Sequence, residues 1–181
     1  MASASESIAI RRCGAEDAER LALVGAATFL ETYAGMIGAD DILAHCAHQN
    51  APQRYAAWLA DERYVFWLAE AQSGRAPVGF SMLSPPDLSS VATHDGDLEL
   101  KRIYLLHRFH GGGHGAALMQ VAIGEARARG ASRMLLGVYA ENARALAFYS
   151  RNGFVPIGER RFRVGVTEFH DRVLALDLIG S

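Results

Sequence analysis

The spacing of apolar residues along the 181-residue chain changes several times, and each change marks a predicted element. Residues 7–12 read as a first strand. GAEDAERLALVGAATFLETYAG then reads as a helix, with acids in its first turn and Gly35 after its last. A second helical region, 39–60, breaks near Asn50-Ala51-Pro52, because the residue before a proline avoids the helical conformation. YVFWLAEA (64–71) and PVGFSMLS (77–84) are rich in aromatic and β-branched residues, and the turn-forming stretch 72–75 between them predicts an antiparallel hairpin. SPPDLSSVATHDGD has no apolar period and reads as a surface loop, after which strand character returns over 97–106. Leu118, Val121, Ala122 and Ala126 recur at helical spacing up to Gly130. ASRMLLGVYA is the next strand, ENARALAFYSRNGF a helix with Asn142 as N-cap and Gly153 at its end, and two final strands surround Gly165-Val166-Thr167. The order β-α-α-α-β-β-β-α-β-α-β-β predicts a mixed α/β sheet domain.

Half of the residues are hydrophobic, which at this length suits one domain spanning 1–181. A net charge of −2 leaves no general electrostatic case for a nucleic-acid or anionic-membrane partner. Cys13 and Cys46 are the only cysteines, and MASASESIAI lacks a basic region followed by an apolar core, so the expected compartment is reducing and cytoplasmic. The longest apolar run, Leu21 to Leu30, is far short of the roughly 20 residues that cross a bilayer.

The most unusual stretch is HRFHGGGHGAAL (107–118). Glycines between a strand and a helix let several backbone N–H groups converge where the helix dipole also favours negative charge, which suits a pyrophosphate. A P-loop needs Gly-Lys followed by Ser or Thr, which is missing here; a dinucleotide fingerprint belongs near the first strand of a βαβ unit, with an acid about 20 residues on. His107, His110 and His114 lack a Cys or carboxylate to complete a ligand set, so no metal is expected.

From Leu98 onward the chain resembles the GCN5-related N-acetyltransferase (GNAT) family. The family signature, Gln or Arg, two residues, Gly, one residue, then Gly or Ala, falls on His110-Gly111-Gly112-Gly113-His114-Gly115, with His110 in the Gln/Arg position. ENARALAFYSRNGF is similar to the family's Asn-x-x-Ala-x-x-Phe-Tyr-x-x-x-Gly-Phe segment, and LELKRIYLL precedes the glycines at the usual distance. Glu99 to Tyr104, Leu136 to Val138, and Phe162 to Gly165 with Asp171 are nearest to the bacterial branch containing polyamine acetyltransferases of the protease-regulator type. FLETYAG (29–35) is a further match in the first helix.

The resemblance implies a single mixed, mostly antiparallel sheet splayed around acetyl-CoA, with helices on both faces. It places Ile103, Tyr104 and Leu105 along the pantetheine arm and His110, Gly111, Gly112, Gly113, His114, Gly115 and Ala116 around the pyrophosphate. Asn142 and Arg144 join them as cofactor contacts. Tyr149 matches the tyrosine near the thioester sulfur and is the expected general acid. Glu99 is the candidate base, because period-two spacing puts it on the face of Ile103 and Leu105; an ion pair with Lys101 or Arg102 is its structural alternative. Tyr33, Asp40, Asp41 and Trp58 belong to the helices that roof the acceptor. The expected reaction is direct acetyl transfer from acetyl-CoA to a primary amine of a small molecule, polyamines included, by a monomer or homodimer. The alternatives are a peptide or protein amine, or a CoA sensor without turnover.

Overall fold

A computed structural model describes residues 7–179. The chain runs β1 (Ile8–Arg12), α1 (Ala18–Tyr33), α2 (Ala39–Gln49), α3 (Pro52–Leu59), β2 (Val65–Ala71), β3 (Pro77–Ser84), β4 (Asp97–Leu105), α4 (His114–Ala128), β5 (Arg133–Tyr139), α5 (Ala143–Arg151), β6 (Val155–Val164) and β7 (Thr167–Asp177). Single 3₁₀ turns precede α1 and α4. This is the order expected from the sequence, and α2 and α3 break at the proline: Ala51 is extended and Pro52 opens α3.

The strands form one sheet in the order β1-β2-β3-β4-β5-β7-β6. All neighbours are antiparallel except β4 and β5. Apolar side chains cover both faces, which is why β2 and most of β3 are buried throughout rather than alternately. On one face α4 sets Leu118, Met119, Ala122 and Ala126 against Leu83, Leu100, Met134 and Leu136. On the other, Leu21 and Val24 of α1 and Tyr55 of α3 meet Phe66, Leu68, Phe80 and Met82. Farther along that second face, Phe29 and Tyr33 of α1 and Ile37 pack on Val164 and Phe169 of the β6–β7 hairpin. Arg11 ties β1 to the sheet edge, donating to both oxygens of buried Asp17 at 2.7 and 2.8 Å and to both of Glu70 at 2.9 and 3.0 Å. Among the described residues no helix is long and apolar enough to cross a membrane.

Two irregularities shape the centre of the sheet. The parallel pairing of β4 with β5 covers only Asp97, Glu99 and the residue between them, against Arg133 to Leu135, and past that point the strands diverge. In β4 the register against β3 passes from Leu83↔Leu100 to Met82↔Arg102, so Lys101 is an inserted, unpaired residue. Such a bulge inverts the alternation beyond it.

Candidate active site

Where β4 leaves β5, its edge has no strand partner. Ile103 and Leu105 face α4, packed against that side of the core, whereas Arg102 and Tyr104 face α1 and α3. Tyr104 packs on Phe80 with ring centroids 5.8 Å apart, so only its backbone is available to a ligand on the α4 side.

The glycine loop lies at the end of that same edge. Gly111 and Gly113 have φ of 87° and 80°, a conformation costly for other residues, and a Cβ at either would enter open space. Gly113 is the N-cap of α4, so the first amides of His114, Gly115 and Ala116 lack intrahelical partners and sit at the positive end of the helix dipole. Gly112 has a different reason to be glycine, since a Cβ there would press on the His114 ring at 2.7 Å. The His110 ring turns back on the strand, its Nε2 2.6 Å from the Leu105 carbonyl oxygen, and burial lowers its pKa. Glu31 of α1 accepts a 2.9 Å hydrogen bond from the His107 amide, so the FLETYAG segment anchors the loop.

Asn142 caps α5, its Oδ1 accepting from Ala145 N at 3.0 Å. Arg144 lies close enough to His110 to lower its pKa. Tyr149 packs between Phe148 and Phe154, with centroids at 5.5 and 5.8 Å, and burial pushes its phenol above the ordinary value. The phenol therefore keeps its proton at neutral pH.

Glu99 departs from expectation. The bulge at Lys101 places it on the face opposite Ile103 and Leu105, because period-two counting fails across an inserted residue. Its parallel partner Leu135 packs with Leu88 and Val173 on that opposite face. The carboxylate is 2% exposed, accepts the Asp87 amide at 2.7 Å, and lies 3.8 Å from Lys101 Nζ. The 85–96 loop thus covers it. Arg102 is engaged elsewhere: its guanidinium donates to Asn50 Oδ1 at 3.0 Å, Tyr55 OH at 2.5 Å and Gln49 O at 3.2 Å.

The four residues of α1 to α3 expected to roof the acceptor lie apart. Tyr33 lies near Tyr104, Asp171 and Arg160, whose charges act on its phenol. Trp58 packs with Tyr55 and Phe66 under the Arg102 and Arg54 guanidiniums, half-buried against the core between α1, α3 and the sheet. Asp40 is exposed, and Asp41 sits beside Gly165 at the tip of the hairpin. There, a groove of about 240 Å³ runs between α2 and β6, lined by Asp41, His45, His48 and Arg163 among others. His45 stacks on Phe29 at 3.9 Å, and burial and Arg102 lower its pKa to about 4. One pair on this side has no signal in the sequence beyond the Asp171 of the branch motif: Arg160 and Asp171, joined at 2.9 Å.

The sheet thus parts between β4 and β5, and the glycine-capped N-terminus of α4 stands at the end of the gap. A model of the acetyltransferase (GNAT) family matches residues 36–154. An uncharacterized N-acetyltransferase of Mycobacterium tuberculosis is 36% identical over 90% of this chain and 99% of its own length, and one of Mycobacterium bovis matches equally. The fold is shared with the PaiA N-acetyltransferase of Thermoplasma acidophilum in complex with coenzyme A (TM-score 0.72, 22% identity, 94% of this chain and 99% of that one). It is also shared with a GCN5-related N-acetyltransferase structure from Rhodopseudomonas palustris (TM-score 0.71, 18% identity, 97% and 98%). The chain belongs to the GNAT family and is an acetyl-CoA-dependent N-acetyltransferase.

Proposed function

We propose that the acceptor is the primary amine of a small molecule, attacking acetyl-CoA directly while both are bound. The observation that carries this reading is the two-sided gap between β4 and β5. On the α4 side stand Ile103, Leu105 and the glycine loop; on the other stand Tyr33, Tyr104 and the β6–β7 hairpin.

The residues fit the cosubstrate. The amides of Gly111 to Ala116 suit its pyrophosphate, since the loop leaves open the space that Cβ atoms would fill at Gly111 and Gly113. The unpaired edge of β4 suits the amides of its pantetheine arm. Acetyl-CoA supplies an activated thioester whose departing sulfur gains from a proton. Tyr149 holds such a proton at its phenol oxygen, in a site where burial keeps it bound. Glu99 takes the amine's proton in this reading, through water that reaches past the 85–96 loop, since its carboxylate is covered on the acceptor face.

Incubation with acetyl-CoA and a panel of small amines, peptides and protein substrates, followed by free thiol and product mass, tests the reading. Small amines are expected to release thiol stoichiometrically with their acetylation. Saturable CoA binding without thiol release would leave a sensor, and acetylation confined to peptides would move the acceptor to another class.

A further inference from the structure

Asp171 stands on β7 opposite Tyr139, on the stretch of β5 that has parted from β4. Its side chain is 7% exposed, and one carboxylate oxygen accepts from Arg160 Nε at 2.9 Å. The guanidinium of Arg160 rests against Gly137 of β5, where a Cβ would come within 2.7 Å of Cζ and Nη2. Gly137 does not have positive φ, so what its missing side chain provides is room for the guanidinium. Phe162 lies on the same hairpin, its ring centroid 5.7 Å from Cζ.

The hydrogen bond takes the Nε edge of the fork, while Gly137 and Phe162 lie against the guanidinium. Among the described residues neither Nη of Arg160 makes a hydrogen bond, and the side chain is 26% exposed. Among the described residues no buried side-chain nitrogen or oxygen lacks a partner, so the two Nη groups are reachable from outside rather than sealed in. Arg102, a second arginine of this face, has both Nη groups engaged, on Asn50, Tyr55 and Gln49. The charges of Arg160 and Asp171 are felt by both Tyr33 of α1 and Tyr104 of β4, which locates the pair beside the gap and away from α4.

We infer that Arg160 is a specificity-determining residue whose two Nη groups receive a carboxylate of the acceptor, making the preferred substrate a small amino carboxylate. The inference rests on the small-amine reading above and narrows it. A planar fork held at one edge loses little freedom when its end takes up a second carboxylate, and the match is bidentate. A polyamine would instead bring cations toward a guanidinium, which disfavours it.

The test pairs acceptors that differ by the carboxylate: alanine, β-alanine and 4-aminobutyrate against alkylamines of matching length, with putrescine and spermidine as polycations. At least one amino carboxylate is expected to exceed its matched amine in kcat/KM. Arg160→Gln is expected to raise its KM about 10- to 100-fold, the size of a lost charge-assisted contact, with CoA affinity and alkylamine turnover unchanged. Because this substitution leaves Asp171 buried without its cation, the Arg160→Gln/Asp171→Asn double variant is measured beside it, and the same loss of preference is expected. Gly137→Ala, which displaces the guanidinium while keeping its charge, is expected to reduce the preference too. Acetylation of amines with no carboxylate preference, or a preference that survives in the double variant, overturns the inference and leaves the small-amine reading standing. Failure to acetylate any member of the panel overturns both.

Discussion

Gly113→Ala isolates the role of the glycine loop, because α4 provides its own control. Gly113 and Gly130 sit at the two ends of that helix with φ of 80° and 71°, and a Cβ at either would meet nothing within 4 Å. Alanine therefore costs each site backbone strain alone, about 1–2 kcal/mol for an L-residue in the left-handed region. For a chain of this size that corresponds to a fall in melting temperature of about 2–8 °C, similar in the two variants. In the proposed cradle, only at Gly113 does the methyl group project where a pyrophosphate would meet the first amides of α4. Losing one or two hydrogen bonds to a charged group, each about 1.5–3 kcal/mol, raises the CoA dissociation constant by about 10-fold or more. Calorimetric titration with CoA and thermal unfolding of both variants supply the two numbers. Equal melting shifts with unchanged CoA affinity in Gly113→Ala would refute the cradle.

Three further outcomes follow from the site and the core. Tyr149→Phe is expected to lower kcat by about 10²-fold at constant CoA affinity, and an unchanged kcat removes the phenol from proton transfer. Glu99→Gln retains an acceptor for the Asp87 amide but no base; steady-state rates are expected to fall about 10²-fold with little change in melting temperature, and undiminished turnover excludes Glu99 as base. Asp17 and Glu70 have folded-state pKa values held below the ordinary carboxylate range, chiefly by hydrogen bonds from Arg11. Their contribution is fully present above the unfolded values near pH 4 and is lost as pH falls through the lowered folded ones. Asp17→Asn is expected to cost about 3 kcal/mol at neutral pH and to flatten the acid limb of a urea-denaturation series; an acid limb as steep as the parent's contradicts this.

The elements were legible because each has a local cause. Pro52 divides α2 from α3, Gly35 ends the first helical stretch, and Asn142 caps α5, each acting within a few residues of itself. The glycine loop was legible for the same reason: positive φ and unpaired helix amides are properties of a short segment. The side chains of the acceptor face were not. Tyr33 has Arg160 and Asp171 for neighbours because the β6–β7 hairpin folds back against α1, a relation across more than a hundred residues. Trp58 was expected at the acceptor from its helix alone, and the fold sets it half-buried beneath Arg102, against Tyr55 and Phe66.

The sequence by itself determined the order of strands and helices, the family, and the glycine loop proposed to meet the cosubstrate, since all rest on short-range pattern. Tertiary structure alone decided which face Glu99 takes. That depends on Lys101 being left out of the pairing with β3, and strand alternation carries no trace of a partner's register. It also decided that Arg102 has both Nη groups engaged while those of Arg160 make no hydrogen bond, because hydrogen-bond satisfaction is settled only when distant segments pack.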